Sequence, residues 1–303
     1  MPELPEVELY LHALRSRIID RTLGGVRLRS PSLLRTYDPP LSAVVGKRVT
    51  GLNRMGKRIV WCMEDDLFLV FHLMVTGRFK WRAPGAAVPR KGAHGAFDFA
   101  EGTLLLTETG TKKKATLHLV KGGETLRALD PGGLEPLESD LESFRQALLK
   151  ENRTLKRALT DPRLVSGIGN AHSDEILLFA GLSPVRRTRQ LDEDEIARLH
   201  EVTVRSLKEW VDRLREEAGE AFPEKVTAFH PAMVAHGKYG EPCPVCGTPV
   251  QRIVYADRET NYCPTCQTGG KLLADRSLSR ILKGDWPRTL EELEESTRAR
   301  RGE

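Results

Sequence analysis

Cys243-Pro244-Val245-Cys246 and Cys263-Pro264-Thr265-Cys266 are two C-x2-C knuckles separated by 16 residues, and no other feature limits the fold of this chain as strongly. Cysteines spaced in this way bring their sulfurs together on a tight turn. Two such turns at this separation supply four thiolates for one tetrahedral zinc ion. A four-thiolate site has no open position, so the ion organises its segment and does no chemistry. Disulfides are the alternative, and a chain without an export signal makes them the weaker one. Residues 251–262, between the knuckles, read as a hairpin with Arg258 near its tip. Cys62 lies apart in an apolar run and reads as a buried core residue.

The 303 residues suffice for two or more domains. No run of about 18 apolar residues is present, and acids stand where a signal peptide would carry basic residues. The reading is a cytoplasmic protein with neither membrane span nor leader. Formal charge is +5, unevenly placed: residues 1–130 hold 21 Lys and Arg against 13 Asp and Glu. That surplus suits a polyanion lying against the first domain.

The N-terminus reads Met1-Pro2-Glu3-Leu4-Pro5-Glu6. An initiating Met before a small residue is normally removed, which would expose Pro2 as a secondary amine. Such an amine can attack a carbonyl-like carbon and remain as a charged iminium. Val7, Leu11, Leu14 and Ile18 recur at helical spacing behind it. Pro5 suits the first turn of that helix, and Glu3 and Glu6 complement its macrodipole. The acids either stabilise the helix start only, or hold the amine in catalytic geometry.

From Val26 to about Leu129, short runs rich in Val, Leu, Ile, Phe and Trp alternate with turn residues, which predicts an antiparallel sandwich or barrel. Lys57 is placed at the start of one strand, as a solvated lysine or a phosphate ligand. Residues 81–92 read as a mobile basic loop. Lys112-Lys113-Lys114 reads as a solvated edge that discourages strand pairing, or else as a groove-facing patch. Asp130-Pro131-Gly132-Gly133 marks a linker.

Helical periodicity then runs through Leu141–Leu149, 155–159, 176–179 and 196–214. Gly167-Ile168-Gly169-Asn170 interrupts it, either as a phosphate-binding loop before a helix start or as a tight helix–helix turn. Leu272, Leu273, Leu278, Ile281 and Leu282 suggest a short helix ending at Gly284, 290–295 another, and residues 298–303 read as frayed. The expected division is therefore residues 1–130, 131–238, 239–268 and a C-terminal extension, 269–303.

Pro2-Glu3-Leu4-Pro5-Glu6, Lys57 after a glycine, the Gly167–Asn170 loop and the cysteine hairpin, in that order, resemble the formamidopyrimidine-DNA glycosylase and endonuclease VIII family. The resemblance covers roughly residues 1–267. It implies an α+β chain: an N-terminal β-sandwich with an N-terminal helix, a helix-two-turns-helix domain and a C-terminal zinc-finger β-hairpin. It implies a DNA glycosylase and abasic-site lyase of base excision repair, working as a monomer on damaged duplex DNA at the nucleoid, with one structural zinc. Under it Pro2 is the nucleophile, Glu3 the general acid and base, and Glu6 a positioning group. Lys57, Asn170 and Arg258 contact phosphates, and Lys57 belongs to the catalytic set.

The pattern also departs from the family's. Members fill the gap left by an everted base with a Met from one loop and an Arg and a Phe from another. Here His72-Leu73-Met74-Val75-Thr76-Gly77 offers Met74, offset by one, with Val75 at the expected place, and residues 107–114 offer neither Arg-Phe nor an equivalent. An alternative reading is a protein that binds DNA lesions or distortions with weak or no glycosylase activity. An RNA-binding zinc protein is more distant.

Overall fold

The computed structural model describes residues 1–110, 113–255, 258–274 and 287–301. They form two compact units: Met1–Glu135 with Leu207–Ala228, and Pro136–Ser206 with Phe229–Glu303. The α+β class is as expected.

In the first unit, helix α1 (Leu4–Ile18) precedes two four-stranded sheets. One has the order β1-β6-β7-β5, from Gly25–Leu28, Ala93–Phe99, Gly102–Glu108 and Gly77–Arg82. The other has the order β2-β3-β4-β8, from Val49–Met55, Arg58–Met63, Leu67–His72 and Thr116–Lys121. All their pairings are antiparallel. The sheets face each other across an aromatic core. Trp61 of β3 meets Phe97 and Phe99 of β6 at ring separations of 5.4 and 5.9 Å, and Phe71 of β4 meets Phe79 of β5 at 5.3 Å. Interlocked rings of this kind bury much of the area that holds a sandwich together.

Helix α1 is buried on nearly every side, and the predicted stripe of Val7, Leu11, Leu14 and Ile18 is at most 1% exposed. Tyr10 anchors it: its hydroxyl accepts the Phe79 N–H at 3.2 Å, and its ring stands edge-on to Phe79 at 5.5 Å. Arg54 of β2, with a side chain 9% exposed, donates to Glu8 of α1 at 3.0 Å and pairs with Glu135. Replacing Arg54 by Leu removes a buried partner from two carboxylates, and we expect it to lower the unfolding free energy by about 2 kcal/mol in a chemical melt, because Glu8 still has Arg215 at 3.5 Å and Glu135 is partly solvated.

Four expectations change here. Lys57 is in a turn: β2 and β3 close with Met55 opposite Arg58, so Gly56 and Lys57 form a two-residue hairpin loop. Gly56 takes φ +60° at the first central position, where such a loop needs left-handed backbone. The 81–92 segment begins as strand β5 and is tied down beyond it, since Gly85 N–H donates to Thr103 Oγ1 and Arg27 to Ala86 O. Cys62 is only half-buried, on the sheet face covered by Leu126 and Leu129 of a short helical segment, α2 (Gly123–Ala128) and its cap. Finally, the 207–228 stretch packs with the first unit: Phe222 contacts Tyr10 and Trp81, and Arg17 donates to Glu220 O at 2.7 Å.

The second unit holds α3 (Leu141–Leu149), α4 (Leu155–Thr160), α5 (Asn170–Phe179) and the first part of α6 (Glu193–Ala218). Asp140 caps α3 by accepting from Ser143 N–H at 2.8 Å. Asp192 and Glu195 cap α6 reciprocally, at 2.8 and 3.1 Å. Strands β9 (Gln251–Tyr255) and β10 (Arg258–Tyr262) form the expected hairpin, followed by α7 (Pro264–Thr268). In the extension, Leu272 and Leu273 are not helical; Leu273 N–H donates to the Tyr262 hydroxyl at 2.7 Å. Leu278, Ile281, Leu282 and Gly284 lie outside the described residues. Helix α8 (Leu290–Arg301) runs through most of the segment expected to fray. Among the described residues no helix is long and apolar enough to cross a membrane.

Candidate active site and zinc centre

The first turn of α1 fixes the N-terminal residues. Glu3 is the N-cap in extended conformation, Pro5 follows in the first turn, and the Glu3 N–H donates to Glu6 Oε2 at 2.7 Å. Pro2 is buried, and Glu3 and Glu6 are 3% and 1% exposed. Two buried carboxylates therefore sit beside Pro2, at the N-terminal end of a helix whose macrodipole favours negative charge.

The amine at this end of the chain belongs to Met1, and its pKa lies below the ordinary 8.0. Burial is the main cause. Glu3 opposes it, Arg78 adds to it, Glu6 opposes it and Lys57 adds to it. With Met1 removed, the amine would be that of Pro2, one residue nearer Glu3. A depressed pKa leaves more amine neutral near pH 7, which a nucleophile requires. The same interactions bring Lys57 to the N-terminus, along with Arg78, a residue the sequence reading passed over.

Arg78 is the second residue of β5, behind a tight turn. Gly77 N–H donates to Leu73 O at 2.9 Å, and a Cβ on Gly77 would collide with that carbonyl. The Thr76-Gly77-Arg78 string is the only sequence signal for it. Within the turn, Met74 holds φ +53°, a left-handed conformation costly for its type, and is half-buried, while Val75 is 51% exposed. Lys112 of the second expected gap-filling segment lies outside the described residues.

His72, at the end of β4, was also missed. Burial lowers its pKa to about 4, with Arg58, Lys57 and His118 adding to the effect. Unfolded, the imidazole takes up a proton below its ordinary 6.5, whereas the folded chain refuses it until about 4. Its contribution to stability is thus complete above pH 6.5 and is lost as pH falls towards 4. His118, lowered by burial and by Arg58 and Arg35, acts in the same direction. NMR titration should find the His72 ring neutral at pH 6, and His72→Gln should flatten the stability profile between pH 4 and 6.5.

The second unit gathers a different set. Asn170 is the first residue of α5, after Gly167 and Gly169, and its Nδ2 donates to Glu259 O of β10 at 2.8 Å. Arg258 is the first residue of that strand, paired with Tyr255. Behind Asn170 lies a buried polar network. Asp174 accepts from Lys156 Nζ at 2.6 Å and pairs with His236 Nδ1 at 2.8 Å, and Asn261 Nδ2 reaches it at 3.3 Å. Glu175 accepts the backbone N–H groups of Val234, Ala235 and His236. These groups lock α5 to the hairpin.

Cys243, Cys246, Cys263 and Cys266 place their sulfurs within 4.8 Å of one another and form no disulfide. A zinc–sulfur bond of about 2.3 Å makes neighbouring thiolates of a tetrahedral site about 3.8 Å apart. The Cys246–Cys263 and Cys243–Cys266 separations, 3.4 and 4.0 Å, fit that geometry. These four residues hold one structural zinc. Cys243 and Cys263 also pack with Leu178 of α5, Ala235 and Val250, so the metal segment shares a core with α5.

Three family models match the chain: the formamidopyrimidine-DNA glycosylase N-terminal domain over residues 1–131, the H2TH domain of that enzyme over 133–218, and the zinc finger found in FPG and IleRS over 240–269. The formamidopyrimidine-DNA glycosylase of Geobacillus kaustophilus is 34% identical over 286 residues, covering 88% of this chain and all of the relative. That of Ligilactobacillus salivarius is 30% identical over 279 residues, with 88% and 99% covered. A point mutant of the Lactococcus lactis enzyme, solved in complex with a Fapy-dG containing DNA, superposes with a TM-score of 0.78 at 30% identity, over 88% of this chain and all of that one. The same enzyme non-covalently bound to an AP site containing DNA gives 0.76 at 29%, over 88% of this chain and 99% of that one. The chain belongs to the formamidopyrimidine-DNA glycosylase family, the DNA glycosylases of base excision repair.

Proposed function

We propose that this glycosylase excises oxidised bases from duplex DNA through a Schiff base at Pro2 and then cleaves the strand by β,δ-elimination. The observation that carries the reading is the pairing of a buried Pro2 with buried Glu3 and Glu6 at the start of α1, with Lys57 and Arg78 acting on the same terminus. The Pro2 nitrogen attacks the sugar C1′, the base leaves with the C1′–N bond electrons, and the proton released from the Pro2 nitrogen neutralises the departing base. Glu3 donates a proton as the sugar ring opens to the iminium, and later accepts protons. The iminium acidifies the adjacent carbon. Loss of its proton expels the 3′ phosphate, and a second elimination expels the 5′ phosphate.

Lys57, Asn170 and Arg258 serve as phosphate contacts, which fix register without reading sequence. Reaching C1′ requires the nucleotide to leave the stack, which costs least for a damaged or mismatched base. The basic surplus of residues 1–130 supports a duplex partner. The protein acts as a monomer, inside the cell at the nucleoid, with residues 1–130, 131–238 and 239–268 as catalytic, helix-two-turns-helix and zinc-finger portions, the 207–228 stretch of the second being the part that packs with the first unit.

A nicking panel tests this. Duplexes carrying 8-oxoguanine, formamidopyrimidine, an oxidised pyrimidine or a bare abasic site, each against all four opposite bases, should include substrates cut to ends phosphorylated on both sides of the gap. Tight lesion binding without scission on any of them would instead describe a binding protein.

A further inference from the structure

Glu108 ends β7 inside the first unit, 1% exposed, and its carboxylate is shared among three stretches of chain. It accepts the Lys114 N–H at 3.0 Å and the Ala115 N–H at 3.3 Å, contacts His94 Nε2 at 2.6 Å, and accepts the Thr76 hydroxyl at 3.4 Å. Its own N–H donates to Gly92 O at 2.7 Å. Burial alone would raise its pKa, but the Lys114 N–H, His94 and the Ala115 N–H outweigh that and keep it a carboxylate. Burying a charge costs several kcal/mol unless its partners are well placed. Here the partners fix the turn that leads into Arg78 and the segment that carries the lysines.

Lys113 and Lys114 are both exposed on that segment. A lysine run on a solvated edge needs no buried carboxylate to hold its backbone. A lysine pair that must meet phosphates in a set register does. We propose that Glu108 is a positioning residue that holds Lys113 and Lys114 against duplex phosphates, beside the turn of residues 73–77. The proposal rests on the DNA-cleaving function argued above. It makes this edge a backbone contact with no base to read, so discrimination among opposite bases should be weak.

The test is the salt dependence of binding to a duplex with a tetrahydrofuran abasic analogue. Each phosphate contact contributes about 0.9 to the slope of log K against log salt. K113A/K114A should lower the slope by about 1.8. Glu108→Gln should lower it comparably, although it keeps both lysines and removes a negative charge. A merely structural role would reduce the active fraction and leave the slope alone. If Glu108→Gln does not fold, His94→Gln, which spares the carboxylate, should give an intermediate slope. A wild-type slope in K113A/K114A, or in whichever of the Glu108 and His94 variants folds, overturns the proposal. Borohydride trapping of the wild-type preparation on abasic DNA separates the two levels: trapping with unchanged slopes sinks this inference alone, and no trapping sinks the function it rests on.

Discussion

Glu3→Gln is expected to lower single-turnover excision of an oxidised base by about 10²- to 10⁴-fold, the usual range for loss of a positioned general acid and base. The substitution is nearly isosteric. The backbone N–H of Glu3, which donates to Glu6 at 2.7 Å, is retained, so the start of α1 keeps its cap and the fold should be unaffected. Reaction with a pre-formed abasic aldehyde should suffer less, because the base has already gone and the ring is open in part of the population. An unequal loss on the two substrates, at unchanged melting temperature, identifies proton transfer as the missing function. An equal loss on both would mean that Glu3 only shapes the site.

Removing the zinc should have an effect of similar size by a different route. Binding free energies of about 10–16 kcal/mol are typical of structural zinc, as large as a whole domain's stability of about 5–15 kcal/mol. The knuckles share a core with Leu178, and Asn170 hydrogen-bonds the hairpin at Glu259. Chelation or Cys263→Ser should therefore release β9–β10, and with it Arg258 and the anchor of Asn170. We expect affinity for abasic DNA to fall at least about 100-fold, some 2.7 kcal/mol, while circular dichroism retains most of the helical signal. Added zinc should restore binding to the chelated wild type only.

The sequence announced what depends on local pattern. Four cysteines at fixed spacing, a helical stripe from Val7 to Ile18 and alternating apolar runs each follow from short-range chemistry, and each appears where expected. Groups whose meaning lies in partners far along the chain were not legible. Glu108 with Thr76, His94 and Lys114, and Asp174 with Lys156, His236 and Asn261, join stretches up to 87 residues apart. No window of sequence contains them. Phe222 sits in a segment without periodicity, so nothing announced that residues 207–228 would pack with α1. The two-residue turn at Lys57 was missed by one position, within the usual drift of a strand boundary, and that residue still falls beside the N-terminal amine.

The central claim is that the nitrogen of Pro2 forms the covalent bond to DNA. Borohydride reduction of the protein on abasic-site DNA, followed by proteolysis and mass spectrometry of the adduct, tests it most directly. The account predicts a single adduct on an N-terminal peptide that begins at Pro2, and none when Met1 is retained by an added N-terminal residue. An adduct on Lys57 or any other lysine, or none from protein whose N-terminus is shown to be Pro2, would contradict it.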